Sequence, residues 1–262
     1  MDNSNWILAE KRGAAGIITI NRPDIFNAWD RGMLLRVEEI LGEFEHDPAV
    51  HAVILTGAGP KAFLAGGDIA DLNSRRSIAH YSDMAEIIHR VYRRFETYQK
   101  VTIGAINGLA LGGGVEIMLC LDFRLLADHA RLGLPEINLG IFPGAGGTQR
   151  LIRQIPLCKA KEMMLTGEWI NAEEAVSLGL ANRVVPRAEL MDAALALAEK
   201  VAAKSPLMIK MIKELTLNGA DMPLSAALPY EKAMISLAFE SEDKSEGCRA
   251  FLEKRQAKFT GQ

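Results

Sequence analysis

The chain of 262 residues is long enough to bury a substantial hydrophobic core without metals or disulfides. Hydrophobic residues make up 49% of it and charged residues 24%, the composition of an ordinary globular protein. With 30 Lys and Arg against 33 Asp and Glu, its net charge of -3 excludes a global attraction to nucleic acids or anionic membranes, but not a local basic patch.

Strand and helix patterns alternate through the first two-thirds of the chain. A β-branched run from Gly16 to Ile20 ends at a turn and predicts a strand. After Asp30 a helix is predicted, with an apolar face formed by Met33, Leu34, Val37, Ile40, Leu41 and Phe44. Further strands are predicted over 52–55 and 101–106, with a helix over 82–98 between them. This alternation is typical of an α/β fold.

After Arg187 the pattern becomes helical only. One predicted helix contains Leu190 and Val201 on its apolar face, and Ser205-Pro206 is typical of the start of a second helix. Two more helices are predicted over 225–239 and 243–258. We therefore divide the chain into an α/β core, residues 1–195, and a helical region, residues 196–262, which must pack on the core or on a partner subunit.

Cysteine usage and the N-terminus bear on the compartment. Cys120, Cys158 and Cys248 are far apart and form no CxxC motif, so we expect reduced, buried thiols in a cytoplasmic protein and no metal site. The first five residues are polar and lack the features of a secretory signal, so none is expected. No apolar run approaches the ~20 residues that cross a bilayer, and no membrane association is expected.

Two glycine-rich segments follow predicted strands and open helices: residues 61–69, KAFLAGGDI, and residues 107–116, NGLALGGGVE. Glycine lets the backbone come close to a ligand, and a helix N-terminus presents unpaired N–H groups to an anion. Two such amides that converge on one carbonyl oxygen would stabilise an enolate. One segment alone would be read as a turn. Dinucleotide, phosphate-loop and serine-hydrolase motifs are missing from the sequence.

The third segment, residues 134–150, reads LPEINLGIFPGAGGTQR. Its Glu136 sits among apolar residues, as Glu116 does between Val115 and Ile117. An isolated glutamate of this kind is commonly a residue of a helix surface. It can also be a partly desolvated carboxyl group whose shifted pKa suits acid–base chemistry. From the residues alone, both interpretations stay open.

Together, the three segments resemble the crotonase superfamily and, within it, the enoyl-CoA hydratases. The resemblance extends from the turn at residues 21–28 to residues 250–255. It implies a spiral of ββα units with a C-terminal helical region that assembles a homotrimer or a dimer of trimers. It also implies an enzyme that adds water across the double bond of a 2-enoyl-CoA to give a 3-hydroxyacyl-CoA. CoA is then part of the substrate, and no metal or other cofactor is expected.

The same resemblance implies roles for individual residues. The amides of Gly67 and Gly113 would form the oxyanion hole, Glu116 would mainly activate water, and Glu136 would mainly deliver a proton. Trp29 stands where the family mostly has Leu or Met, near the expected CoA moiety, and Gly67 stands where Ala is common. The residues expected to contact the substrate are Ala28, Ala65, Gly67, Asp68, Ile69, Ala70, Gly113, Phe251 and Lys254.

Two kinds of alternative stay open. An enoyl-CoA isomerase, or another acyl-CoA enzyme of the superfamily, would share the scaffold, but isomerases keep a single proton-shuttling carboxylate, so the two glutamates favour a hydratase. RNA binding, known for a relative, is the alternative from a different class. One predicted helix carries Arg90, Arg93 and Arg94, which we interpret as a solvated face balanced by Glu86 and Glu96. No nucleic-acid partner is therefore expected.

Overall fold

A computed structural model describes residues 5–262 of the protein. Residues 1–4, on which most of the expectation about a secretory signal rests, lie outside the described residues. The strands, in chain order, are β1 (Ile7–Arg12), β2 (Ala15–Ile20), β3 (Ala52–Gly57), β4 (Ala62–Leu64), β5 (Val101–Ile106), β6 (Leu109–Leu111), β7 (Phe123–Ala127), β8 (Arg131–Gly133), β9 (Trp169–Asn171) and β10 (Arg183–Val185). The α-helices are α1 (Arg31–His46), α2 (Ile69–Ser74), α3 (Ile78–Glu96), α4 (Gly113–Met118), α5 (Gly147–Arg150), α6 (Leu157–Thr166), α7 (Ala172–Ser177), α8 (Leu190–Ala202), α9 (Pro206–Gly219), α10 (Leu224–Phe239) and α11 (Glu242–Leu252).

The described strands form two sheets. The larger has the order β1-β2-β3-β5-β7-β10 and the smaller the order β4-β6-β8-β9. Three successive strand pairs, β3–β4, β5–β6 and β7–β8, each give their first strand to the larger sheet and their second to the smaller one. Helical segments follow each pair, which confirms the α/β class and the expected spiral of ββα units.

The core forms where the sequence is most apolar. Every residue of β3 and β5 is buried, and all six apolar residues predicted for the inner face of α1 are buried. Asp30 caps α1 by accepting a hydrogen bond from the N–H of Met33 at 3.0 Å. Helix α3 begins at Ile78 rather than at residue 82, because Ser77 caps it by accepting from the N–H of His80 at 3.2 Å.

The C-terminal helices attach to the core in two ways. Helix α8 runs unbroken through residues 195 and 196, where we expected the core to end, and packs on β3, β5 and β7. It therefore belongs with the sheet, and the separate helical region begins with α9. The ammonium group of Lys213 on α9 pairs with Asp122 and donates to the carbonyl of Lys100 at 3.0 Å, which ties α9 to the core.

The final residues fold back instead of continuing α11. The prediction of a helix to residue 258 is wrong, because α11 ends at Leu252 and Lys254 adopts a φ of +54°. The buried carboxylate of Asp243 accepts hydrogen bonds from the N–H groups of Thr260, at 2.7 Å, and Gly261, at 3.0 Å. These two hydrogen bonds hold the last residues of the chain against the start of α11.

The arginine stripe predicted on one helix lies on α3 and is neutralised locally. Glu96 pairs with Arg93 as expected and the charge of Glu86 acts on Arg90, while Glu38 and Glu45 of the neighbouring helix α1 form ion pairs with Arg90 and Arg94. The three ion pairs are Arg90–Glu38, Arg93–Glu96 and Arg94–Glu45.

Cys120 is buried, as expected, whereas Cys158 and Cys248 are exposed, so the expectation of buried thiols holds for one cysteine only. Both exposed thiols lie on helices at the outside of the molecule. In the part of the chain that the structure describes, no helix combines the length and apolar character that crossing a membrane requires.

Candidate active site

A pocket of about 170 Å³ opens where β4, β6 and β8 end. These three strands are neighbours and run parallel, so the segments that follow them begin at the same edge of the smaller sheet. Ligands commonly bind at the carboxyl ends of parallel strands. The pocket wall contains Glu116, Glu136, Gly67 and Gly113, the four residues predicted to be catalytic.

A larger cavity of about 940 Å³ lies between α11 and the last residues of the chain. In its wall, Glu246 pairs with Arg249 and Arg255, each at 2.6 Å. None of the predicted catalytic residues lines it. The smaller pocket, where Glu116 and Glu136 share a largely apolar wall, is therefore the candidate active site.

The first glycine-rich segment reaches the pocket between β4 and α2. Gly66 adopts a φ of +90°, which favours glycine. The N–H of Trp29 donates to the carbonyl of Gly66, and the N–H of Asp68 donates to the carbonyl of Trp29, both at 3.0 Å. In this parallel bridge, the N–H of the intervening Gly67 points away from Trp29 and has no backbone acceptor among residues 5–262. The Gly67 amide is therefore available to a ligand.

The second glycine-rich segment turns from β6 into α4. Gly112 precedes the helix with a φ of +53°, and its N–H donates to the carbonyl of Gly133 at 2.9 Å. Gly113 is the first residue of α4, so its N–H has no acceptor within the helix. A Cβ on Gly114 would overlap the carbonyl of Leu64, and glycine at this position lets α4 lie directly on β4.

The two glycine-rich segments touch each other. A Cβ on Gly66 would lie 3.2 Å from the amide nitrogen of Gly113. The hydroxyl of Tyr92 donates to the carbonyl of Gly113 at 2.9 Å and fixes the start of α4. The amides of Gly67 and Gly113 thus lie on adjacent backbone in the wall of one pocket. Two amide donors in this arrangement are suited to a carbonyl oxygen that gains negative charge.

Glu116 lies on α4, and only 3% of its surface is exposed. Its Oε1 accepts hydrogen bonds from the N–H groups of Ala145 at 2.7 Å and Gly147 at 2.8 Å. Burial raises the pKa of Glu116, whereas the two amides and the positive charge of Arg150 act in the opposite direction. Because Oε1 is occupied, Oε2 is the oxygen left for a ligand in the pocket.

Glu136 reaches the pocket from a short 3-10 helix, Pro135–Leu139. Its Oε1 lies 3.0 Å from the point where a Cβ on Gly112 would be. Its Oε2 is buried and has no hydrogen-bond partner among the described residues. Burial, together with the negative charge of Glu116, raises the pKa of Glu136 to about 7. Of the two interpretations of these glutamates, the structure favours desolvated carboxyl groups over residues of a helix surface.

Aromatic side chains that the sequence did not identify as site residues complete the wall. The rings of Trp29 and Tyr92 are buried and lie 5.7 Å apart, and Tyr81 lines the pocket from the same helix as Tyr92. The sequence marks Trp29 only as an unusual residue near the expected CoA moiety. The helix pattern of α3 gives no sign of which side chains meet the pocket, because they approach it from a distant part of the sequence.

Three of the predicted substrate contacts in the first glycine-rich segment line the pocket, namely Ala65, Gly67 and Ile69. Asp68 has a different local role, because it caps α2. Its carboxylate accepts from the N–H of Ala70 at 2.9 Å and pairs with Arg22 at 3.2 Å. Asp68 and Ala70 therefore shape the loop, and neither is part of the pocket wall.

The remaining predicted contacts lie outside the pocket wall. Ala28 is buried, and its carbonyl accepts a hydrogen bond from Arg22 at 3.0 Å. Phe251 is 83% exposed in the last turn of α11, and Lys254 follows just beyond the helix. Within one chain, the structure does not bring Phe251 and Lys254 to the pocket.

Comparison with known proteins identifies the family. The family model described as enoyl-CoA hydratase/isomerase matches residues 10–262. The chain belongs to this family. It is 40% identical over 251 residues to the short-chain-enoyl-CoA hydratase of Clostridium acetobutylicum, with 96% of each chain covered. It is 38% identical over 253 residues to the crotonyl-CoA hydratase of Syntrophomonas wolfei, with 97% of each covered.

A solved structure agrees with the family assignment. The crystal structure of the enoyl-CoA hydratase from Bacillus anthracis superposes with a TM-score of 0.93 at 37% identity, covering 98% of this chain and 100% of that one. The resemblance to the crotonase superfamily that the three sequence segments carried is thereby confirmed, as is the crotonase-type fold of this family member.

Proposed function

We propose that this family member is an enoyl-CoA hydratase, a lyase that adds water across the double bond of a 2-enoyl-CoA. The observation that carries the proposal is one pocket that holds the buried carboxyl group of Glu116, the half-buried carboxyl group of Glu136 and two unpaired backbone amides. An isomerase needs one proton-shuttling carboxylate, whereas hydration needs one group for the water and one for the carbon. The hydratases of Clostridium acetobutylicum and Syntrophomonas wolfei support the same activity by their names.

The proposed mechanism begins at the thioester carbonyl. Its oxygen accepts hydrogen bonds from the amides of Gly67 and Gly113, which draw electrons from the conjugated double bond and stabilise the enolate that forms. Because these donors are fixed backbone groups, little reorganisation is needed as charge develops. No metal or other cofactor is invoked, and CoA enters as part of the substrate.

The two glutamates then divide the proton transfers. Glu116, held toward its ionised form by two amide donors, accepts a proton from water as the oxygen bonds to C3. Glu136, with a pKa raised to about 7 by burial and by the charge of Glu116, delivers its proton to C2. The product is a 3-hydroxyacyl-CoA. A proton returned from Glu116 to Glu136, through the pocket or solvent, restores the starting state.

The acyl group is proposed to be short. The pocket has a volume of about 170 Å³, and the buried rings of Trp29 and Tyr92 close one side of it. The two curated relatives described above carry names that refer to short-chain-enoyl-CoA and crotonyl-CoA, which supports this size. Crotonyl-CoA is therefore the first substrate to test.

We also propose a homotrimer or a dimer of trimers in the cytoplasm. Support for assembly comes from large apolar side chains that the C-terminal helices leave exposed, among them Leu224, Leu228, Ile235 and Leu237. Three free cysteines are compatible with a reducing compartment.

The test is a direct assay of purified protein. Loss of the enoyl-thioester absorbance with crotonyl-CoA, and a product heavier by one water, are the expected results. A 3-enoyl-CoA is assayed in parallel, and Glu116→Gln serves as the inactive control. Conversion of the 3-enoyl ester to the 2-enoyl ester, without hydration, would instead identify an isomerase.

A further inference from the structure

The carboxylate of Glu116 is held by a loop from another part of the chain. Glu116 belongs to α4, but the two N–H groups that donate to its Oε1 come from Ala145 and Gly147, at 2.7 and 2.8 Å. The direction of Oε2 in the pocket therefore depends on the conformation of residues 145–147. Arg150 holds this loop through a hydrogen bond to the carbonyl of Ala145.

Arg150 lies one turn after the loop, on α5, and its guanidinium is bound on two sides. Nη1 donates to the carbonyl of Ala145 at 3.0 Å. Nε and Nη2 donate to the two carboxylate oxygens of Glu96 at 2.6 and 3.0 Å. Only 17% of the Arg150 side chain and 12% of the Glu96 side chain are exposed. A forked pair of this kind fixes the orientation of the guanidinium plane.

The backbone of residues 145–147 packs against the guanidinium of Arg150. Gly146, between the two donor residues, has a φ of +106°, a conformation that favours glycine. A Cβ at Gly146 would overlap Nη1 of Arg150, so the guanidinium lies directly against the backbone here. The polypeptide thus links Glu96, Arg150, the loop and Glu116 in one continuous set of contacts.

We propose that Arg150 is the positioning residue for Glu116: anchored by Glu96, it holds residues 145–147 so that two amides fix one carboxylate oxygen and direct the other at the reacting water. Arg150 does not line the pocket, so it acts through the loop and through its charge. The inference rests on the proposed role of Glu116 as the base of a hydratase.

The charge of Arg150 adds to its geometric role. Five titratable groups from α3, α5, the turn after α4 and the 3-10 helix face Glu116, and Arg150 alone among them is a cation. The five groups are Tyr81, Tyr92, Cys120, Glu136 and Arg150. Removing Arg150 takes away a positive charge that lowers the pKa of Glu116, and it loosens the two amides that act in the same direction. Both losses move the pKa of Glu116 upward, so the base becomes protonated at a higher pH.

The test compares two substitutions of Arg150 with a matched control. Arg150→Met removes the charge and all three hydrogen bonds, and it should lower kcat about 10-fold or more while KM stays nearly unchanged. The acidic limb of its kcat/KM profile should move upward by about one pH unit, the scale of one lost opposite charge. Arg150→Lys keeps the positive charge but loses the paired hydrogen bonds to Glu96. Its acidic limb should lie at the wild-type pH, and its kcat should lie between those of Arg150→Met and the wild type. Arg153 lies on the exposed side of the same segment, and Arg153→Met should change neither kcat nor the position of the acidic limb.

A second measurement separates this inference from the proposed function. The titration of Glu116 can be followed without substrate as the carboxyl band of infrared difference spectra, assigned by subtracting Glu116→Gln. In Arg150→Met the pKa of Glu116 is expected to be higher than in the wild type, even if the wild-type enzyme hydrates none of the esters tested. Should Arg150→Met fail to fold, Arg150→Lys and Glu96→Gln carry the test, with kcat lowered and KM retained. An unchanged Glu116 titration and unchanged kcat in a folded variant would overturn the proposal.

Discussion

Glu116 and Glu136 share one pocket, but only the carboxylate of Glu116 accepts hydrogen bonds from a separate loop of the chain. Oε1 of Glu116 accepts from the amides of Ala145 and Gly147, whereas Oε2 of Glu136 is buried without a partner among the described residues. Donors favour the charged form of a carboxyl group, and burial without donors favours the neutral form. Burial raises the pKa of both glutamates. At Glu116 it is opposed by two amides of a separate loop and by the charge of Arg150, whereas at Glu136 it is opposed only by that residue's own N–H. This difference supports the proposed roles of Glu116 as the base and Glu136 as the acid.

Replacing either glutamate by glutamine should remove most of the activity. Glu116→Gln and Glu136→Gln are each expected to lower kcat by at least about 10²-fold, the usual scale for the loss of a general acid or base. KM for crotonyl-CoA should change little, because the amides that bind the thioester carbonyl remain. Steady-state kinetics of both variants check this. Near-normal turnover in one of them would assign that glutamate a structural role and favour isomerase chemistry.

The pH dependence of kcat/KM tests how the roles are divided. Burial and the charge of Glu116 raise the pKa of Glu136 to about 7, so Glu136 is protonated below that pH. As an acid it is competent below pH 7, and kcat/KM should fall as the pH rises through about 7. The measurement is a profile from roughly pH 5 to pH 9 with crotonyl-CoA. A rise in activity through pH 7 would reverse the roles of the two glutamates.

The same raised pKa predicts an effect on stability. Glu136 has a folded-state pKa of about 7 against an unfolded value of 4.5, so its contribution to stability is present below pH 4.5 and is lost as the pH rises through 7. Glu136→Gln avoids placing a charge in the pocket. At about pH 8 it should raise the free energy of unfolding by roughly 1 to 3 kcal/mol, the scale of such a shift for a partly exposed group. Thermal denaturation at about pH 8 and pH 5 checks this, and an equal change at both pH values would contradict it.

Two substitutions at Gly67 separate its amide from its lack of a side chain. A Cβ on Gly67 would meet Leu72 at 3.4 Å, an ordinary van der Waals contact, and its φ lies outside the left-handed region. Gly67→Ala keeps the N–H and should retain activity within about 3-fold of the wild type, well short of the effect of losing an oxyanion donor. Gly67→Pro removes the donor and should lower kcat by about 10² to 10³-fold.

Circular dichroism must show that the Gly67→Pro variant is folded before its kinetics are interpreted, because proline also restricts Gly66. If folded Gly67→Pro and Gly67→Ala have equal activity, the Gly67 amide does not stabilise the enolate. Gly113 is less suited to this comparison. A Cβ there would lie 3.0 Å from the hydroxyl of Tyr92, so alanine would disturb a hydrogen bond.

Helix α1 shows what local pattern predicts well. All of its expected inner residues are buried, because apolar spacing and an Asp30 cap act in the same direction. Strand β1 shows the limit, since only Ile7 of its six residues is buried and no alternation marks it. The strands of the smaller sheet are three residues long, too short for a pattern. Those short strands nevertheless place the candidate site.

Within the site, the glutamates and the glycine amides were identified because each belongs to a recognisable local motif. The partners of Arg150 were not, because Glu96 lies 54 positions away on α3 and nothing in either segment marks the pair. Trp29 and Tyr92 meet for the same reason, through the packing of distant elements. Sequence therefore predicted four residues that the structure brings together in one pocket, whereas the structure was needed to show what holds them in place.

Lys254 lies just beyond α11, at the exposed C-terminal end of the chain. The family resemblance implies that Phe251 and Lys254 bind the nucleotide end of CoA, although within one chain they lie outside the pocket. Lys254→Ala should raise KM for crotonyl-CoA with kcat nearly unchanged, because the contact is remote from the reacting carbons. Lys258→Ala removes the same charge from a second exposed lysine and serves as the control. An ester that lacks the 3′-phosphate should bind both variants and the wild type equally.

Assembly bears on the role of Lys254, because a residue outside the pocket wall can meet the nucleotide end of CoA bound to its own subunit or to a neighbouring subunit. Deleting the chain from about residue 246 should disturb the oligomer, visible by sedimentation. That deletion also removes the two amides, of Thr260 and Gly261, that donate to the buried carboxylate of Asp243. Loss of assembly in the deletion variant could therefore result from local unfolding of α11, so point variants are needed beside it. Phe251→Ser leaves those bonds intact and alters an exposed side chain, and it is expected to raise KM as well. If both point variants keep the wild-type KM in an intact oligomer, the tail does not bind CoA.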